Sequence, residues 1–170
     1  SVKKALDTLK NLPFGFEYIA IHDGARPFVT PEMIIRTLAT ATVSGAAAPA
    51  KRVNDAVKRL SPDGTISENV DRTGLITVQT PQIFKSEWIF NAYDNVGKED
   101  SFADDIEAVT RMGYPCSVVQ GDDSNKKITY FMDIPDAEKQ IEDYLEARSK
   151  GRHSAEAVRR MRELMKMQED

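Results

Sequence analysis

A single cysteine, Cys116, stands in the 170 residues, so no internal disulfide can form and none is needed. Histidine is nearly as scarce. Only His22 and His153 are present, and neither has a metal-ligand partner at a recognisable spacing. No apolar run approaches the roughly 20 residues that span a bilayer, and no secretory leader is visible. A cytoplasmic protein without membrane contact is the expectation. A basic surplus is lacking too. The formal net charge is −4, which argues against a nucleic-acid binder, since such proteins ordinarily carry an excess of Lys and Arg. Internal repeats and low-complexity stretches are also absent.

What remains is an ordinary soluble composition, 41% hydrophobic and 29% charged, of a length that suits one domain. Val2, Leu6 and Leu9 recur at helical spacing, and residues 2–11 read as an amphipathic helix. Residues 18–23 form a short run of β-formers broken by Gly24 and Pro27. Thr30 followed by Pro31 reads as a helix start, with a hydroxyl cap and a proline where its missing N–H costs nothing. Gly45 reads as that helix's end. Residues 46–51 form a second buried strand. Two polar β-like runs, 55–60 and 65–70, flank Ser61-Pro62-Asp63-Gly64, a turn signal, and predict a projecting hairpin arm over about 53–72. Residues 76–79 read as a strand closed by Thr80-Pro81-Gln82, and 86–96 as a helix. Asp104 caps another helix, with Glu107 in capping-box position. Strands at 116–120 and 127–129 and a helix to about Ala147 follow. Residues 148–170 are basic and helix-like. Strand and helix alternate, which predicts a mostly parallel sheet covered on both faces, with ligands outside the carboxyl ends of its strands.

That rule singles out three segments. In His22-Asp23-Gly24-Ala25-Arg26-Pro27, Asp23 suits a metal or a ribose hydroxyl, Gly24 lets a ligand approach the backbone, and Arg26 can fork onto a phosphate. The bland alternative, a turn in which Asp23 and Arg26 pair with each other, is about equally good on these residues alone. Arg72 at the base of the arm is a phosphate clamp or a solvated arginine, and Thr80-Pro81-Gln82 a polar site segment or a simple strand end. Lysines 126 and 127 leave a polar loop. An extended chain turns them to opposite sides, so one alone can enter a cleft. Cys116 reads as a small core residue, and Asp104 and Asp105 as a helix cap rather than a metal site.

The order and spacing of these segments, with Asp55-Ala56-Val57-Lys58-Arg59, Asp71-Arg72, Ala103-Asp104-Asp105 and Asn125-Lys126-Lys127-Ile128-Thr129, resemble the methylerythritol-phosphate cytidylyltransferase family over about residues 1–147. The resemblance implies a nucleotidyltransferase-type, Rossmann-like α/β fold that is incomplete at its N-terminus, and a homodimer joined through the β-arm. It implies transfer of the cytidylyl group of CTP to 2-C-methyl-D-erythritol 4-phosphate, with Mg²⁺ as the cation. Arg72 and Lys127 would hold the acceptor phosphate for attack, Arg72 in the partner subunit's site. Arg26, Thr80 and Asp23 would touch the same substrate. Ser1, Asp23 and Gly24 would lie against CTP, and Asp23 would help place the metal. Two positions depart from the pattern: Ala56 stands where many members carry a threonine, and Gly24 where alanine is common. The family's glycine-rich loop, with its arginine and lysine, has no counterpart in residues 1–170, so the chain as it stands is expected to be inactive alone. Two other readings compete: a ribitol-5-phosphate cytidylyltransferase, and a non-catalytic dimerising module.

Overall fold

The computed structural model describes residues 2–95 and 102–149. The chain opens with helix α1 (Val2–Lys10), whose Leu6 is buried, and strand β1 (Tyr18–Ile21). Helix α2 (Pro31–Ser44) begins and ends where its sequence says: the Thr30 hydroxyl accepts the Met33 amide, and Gly45 closes it with φ 87°. Gly45 cannot be larger for a second reason, since a Cβ there would run into the Trp88 ring. Then follow β2 (Ala46–Arg52), the hairpin β3 (Val57–Leu60) and β4 (Ile66–Val70), and the strands β5 (Ile76–Val78) and β6 (Gln82–Lys85). Helices α3 (Ser86–Asp94) and α4 (Asp105–Arg111), strand β7 (Ser117–Gln120) and helix α5 (Ile134–Ser149) complete the described chain.

The main sheet runs β1-β6-β2-β5, with β7 on the opposite edge of β2. β6 is antiparallel to both β1 and β2, and β7 is parallel to β2. Strands β1, β2 and β7 therefore share one direction and the β5–β6 run opposes them. Successive side chains point to opposite faces, and each face has its own core. Ile19, Ala46 and Phe84 pack with Leu6 of α1, Ile89 and Ala92 of α3 and Ala108 and Val109 of α4. Tyr18, Ala47 and Ile83 pack with Ala41 of α2. The sheet is thus covered on both sides, as the alternation of elements predicts. Among the described residues β1 pairs with β6 alone. The β3–β4 arm is a separate two-stranded sheet with mostly exposed residues, as its polarity predicts.

Several local expectations need correction. Thr80-Pro81-Gln82 does not end the strand region, because β6 starts at Gln82. Ala50 pairs with Val78 but Ala47 pairs with Ile83, so three steps along β2 face five along the partner. The surplus is a bulge at residues 79–81, containing a cis Thr80–Pro81 bond. Residues 127–129 are not a strand. The Ile128 amide does reach the Ala25 carbonyl at 2.8 Å, but the Thr129 and Tyr130 amides both donate to Asp133 Oδ2 at 2.9 Å. A side-chain acceptor takes the donors that a ladder would need. Strand β1 stops at Ile21, which leaves His22 and Asp23 in the turn beyond its end. α3 stops at Asp94, and Val96 lies outside the described residues. α5 continues to Ser149, with Pro135 in its first turn. The rest of the basic tail, from residue 150, lies outside the described residues.

Candidate anion site at the strand ends

Three separated segments meet at the carboxyl end of β1: the 22–26 turn, the 79–81 bulge and the 121–128 loop. Asp23 is their common point. Its Oδ2 takes Arg26 Nε at 3.2 Å and Lys127 Nζ at 3.1 Å. Burial pushes the Asp23 carboxyl up, but the hydrogen bonds and charges of Lys127 and then of Arg26 outweigh it. The carboxyl therefore ionises below the usual aspartate range. Lysine 126 points away, to Asp133 at 2.7 Å and Asp136 at 3.5 Å, so the two lysines divide as an extended segment requires. The pairing of Asp23 with Arg26 and the convergence of segments on Asp23 are both present.

Hydrogen-bond accounting fixes the turn. The Asp23 amide donates to Thr80 Oγ1 at 3.0 Å, and the same oxygen lies 2.8 Å from His22 Nδ1. The Arg26 carbonyl can only accept, so His22 Nε2 donates to it at 3.0 Å. His22 therefore braces this turn at both ring nitrogens, a role its sequence context gives no sign of. Gly24 lies over open space, where an added Cβ would meet nothing within 4 Å, so a ligand has room to approach its backbone.

Two glutamines read in the sequence only as parts of a strand end. Gln79 is 6% exposed. Its side-chain amide accepts from the Asp122 N–H at 3.1 Å and donates to the Asp122 carbonyl at 2.8 Å. It thereby clamps the 121–128 loop to the bulge. Gln82 accepts the Ile106 amide at 3.1 Å and donates to Asp104 at 3.2 Å, fixing the start of α4. Asp104 caps that helix by accepting the Glu107 amide at 2.9 Å, as its sequence position predicts. Burial raises the Asp105 carboxyl above the usual range, against the hydrogen bond donated by Tyr93, and the charges of Asp104 and Asp23 add to the rise. Cys116 packs against the larger core, and burial pushes its thiol up to about 11.

Arg72 does not join this cluster. It lies at the base of the arm, donates to the Asn54 carbonyl, and with Lys51, Arg52 and Asn54 lines a separate cavity of about 780 Å³. Ser1 lies outside the described residues. Among the described residues no group of three His, Cys, Asp or Glu side chains is arranged to hold a metal ion. No helix among them is long and apolar enough to cross a membrane. The donor chemistry of Asp23 still fits Mg²⁺. It is an ionised carboxylate with both protein cations on one oxygen, and Mg²⁺ is commonly held by one or two carboxylates together with substrate phosphates.

Known proteins share this arrangement of elements. Residues 1–143 match the IspD family, 2-C-methyl-D-erythritol 4-phosphate cytidylyltransferase. A protein of that name from Cereibacter sphaeroides is 42% identical over 139 residues, which are 82% of this chain and 60% of the relative. A bifunctional IspD/IspF enzyme from Rhodopseudomonas palustris is 37% identical over 131 residues, covering 76% of this chain and 32% of that protein. The crystal structure of the cytidylyltransferase from Thermus thermophilus superimposes with a TM-score of 0.74 at 31% identity, over 84% of this chain and 68% of that one. The chain spans about 60% of the length of the first of these relatives. With the family match running through the turn, the arm, the bulge and the lysine loop, this chain belongs to the 2-C-methyl-D-erythritol 4-phosphate cytidylyltransferase family.

Proposed function

We propose that this protein transfers the cytidylyl group of CTP to 2-C-methyl-D-erythritol 4-phosphate, and that the site at Asp23 receives the acceptor phosphate. The observation that carries the reading is the convergence of Arg26 and Lys127 on a single carboxylate oxygen. Two cations from segments far apart in sequence are held one hydrogen bond from the same anionic point. An arriving phosphate is a stronger double acceptor than Asp23 and takes over Arg26 and Lys127. In the reaction an acceptor-phosphate oxygen attacks the α-phosphorus of CTP. The bond from that phosphorus to the oxygen bridging to the β-phosphate breaks, and pyrophosphate leaves with the electron pair. The protein's part is placement and charge stabilisation.

In this reading Lys127 and Arg26 orient the nucleophilic phosphate, and Thr80 and His22 hold the turn that carries Arg26. Asp23, freed from its cations, would hold Mg²⁺ against the phosphates, where the ion neutralises charge. Gly24 and Ser1 belong to the nucleotide side. Arg72 on the exposed arm serves the site of a second subunit in a cytoplasmic homodimer, which accounts for its distance from the cluster in its own chain.

Pyrophosphate release by this chain joined to a glycine-rich CTP loop of the kind the family carries, followed with CTP and Mg²⁺ against each candidate acceptor, tests this. Release should require methylerythritol phosphate and fail with ribitol 5-phosphate. Lys127→Met should slow it by roughly a hundredfold or more, the scale seen when one charge-stabilising donor is lost. Equal turnover of ribitol 5-phosphate, or an unimpaired Lys127→Met variant, would overturn the reading.

A further inference from the structure

We infer that Asn125 is a positioning residue of this site: one buried amide that sets Thr80, Arg26 and Lys127 at a common spacing. The inference rests on the reading of the site given above and adds a residue to it.

Asn125 is 0% exposed and meets all three site segments. Its side-chain Nδ2 donates to the Thr80 carbonyl at 2.8 Å, with Met33 Sδ at 3.2 Å from the same nitrogen. Its own carbonyl accepts Arg26 Nη1 at 2.8 Å and Gln79 Nε2 at 3.3 Å. Its backbone amide closes the preceding turn on the Asp122 carbonyl at 3.2 Å. Lys127 follows two residues later. One residue therefore fixes the bulge through its side chain, Arg26 through its carbonyl, and Lys127 through the chain. None of these bonds faces the Asp23 carboxylate, so Asn125 acts on the site only through other groups.

Among the described residues Asn125 Oδ1 is buried without a hydrogen-bond partner, so the side chain is held through its Nδ2 donor. What Asn125 supplies is the Nδ2 donor at the Thr80 carbonyl, in a side chain short enough to leave the Arg26 contact in place. Aspartate has the same shape and lacks that donor, and it sets a second acceptor against the Thr80 carbonyl. Serine keeps a donor on a shorter stem.

The test uses inorganic phosphate as the probe, titrated into the protein while the backbone amide resonances of Asp23, Arg26 and Lys127 are followed. Asn125→Asp should weaken phosphate binding by roughly tenfold or more, the scale set by misplacing reacting groups by a fraction of an ångström to one ångström. The resonances of the β3–β4 arm should stay unchanged as a control on folding. Asn125→Ser should fall between the wild type and Asn125→Asp, and it serves alone if the aspartate variant does not fold. In the pyrophosphate assay the KM for the acceptor should rise while the KM for CTP stays within about twofold, a split that general loosening would not give. Wild-type binding with Asn125→Asp and Asn125→Ser both unimpaired, or equal rises in both KM values, overturns the role of Asn125 alone. Phosphate that shifts none of the three amides in the wild type overturns the anion-site reading itself.

Discussion

Gly121→Ala should destabilise the protein by about 2–4 kcal/mol, although it adds one methyl group at a backbone without positive φ. A Cβ at Gly121 would stand 2.7 Å from Gln79 Oε1, 3.0 Å from the Ala50 carbonyl oxygen and 3.1 Å from its carbon. The Gln79 side chain could swing aside, but Ala50 belongs to β2, which is paired on both edges and cannot retreat. The loop must lift instead. Lifting breaks the 2.8 Å bond from the Gly121 amide to the Ala50 carbonyl and stretches the two bonds between Gln79 and Asp122. Overpacking costs about 1–3 kcal/mol, and a lost hydrogen bond adds about 1 kcal/mol. Urea unfolding followed by circular dichroism measures the difference, and the corresponding fall in Tm is about 6–12 °C for a domain of this size. Gly15→Ala is the control, because an added Cβ there meets nothing within 4 Å. It should leave stability unchanged or raise it slightly through the unfolded chain. A Gly121→Ala variant within about 0.5 kcal/mol of the wild type would refute the claim that the loop is clamped to the sheet.

Two further outcomes follow from buried titratable groups. The Asp105 carboxyl is held above its usual range in the folded protein, so ionising it works against the fold. That penalty is absent below the unfolded pKa, near 3.9, and grows as pH rises to the raised folded value. Asp105→Asn keeps an acceptor for Tyr93 and removes the charge. It should be the more stable protein in urea melts at neutral pH, with the advantage closing toward about pH 4; a gap independent of pH would refute this. The Cys116 thiol, pushed up to about 11, should react with a disulfide reagent at neutral pH roughly a hundredfold more slowly than an unfolded thiol. Labelling at the unfolded rate would show that the group is not shielded by the core.

Much of this architecture is legible from local chemistry. Thr30, Pro31 and Gly45 delimit α2 because caps act within a turn of themselves. Ser61-Pro62-Asp63-Gly64 marks the arm for the same reason. The opposite directions of Lys126 and Lys127 follow from extended geometry alone. What stays hidden depends on residues distant in sequence. The start of β6 reads as an ending because Pro81 and Gln82 look like breakers, and only the partner strands show that the chain resumes pairing after the bulge. Residues 127–129 have the composition of a strand, but Asp133 captures their amides. Asp23, Arg26 and Lys127 can be named as a phosphate-type set from residue chemistry and family resemblance. The amides that hold their segments together, Gln79 and Asn125, cannot. A buried polar side chain is recognisable by its partners, and those lie between 43 and 92 residues away.

The surplus at residues 79–81 is an even number, and parity matters in a sheet. Side chains alternate between faces, so an even insertion leaves everything downstream in phase and an odd one inverts it. Phe84 serves the α1–α3–α4 side and Ile83 the α2 side. Removing one residue from the bulge would exchange them and put each in the wrong core. Removing two would leave both cores as they are and straighten the strand, erasing the Thr80 corner. The Thr80 corner is therefore an in-phase insert in a sheet that does not need it, and the corner and the fold can vary independently there as long as length changes in steps of two.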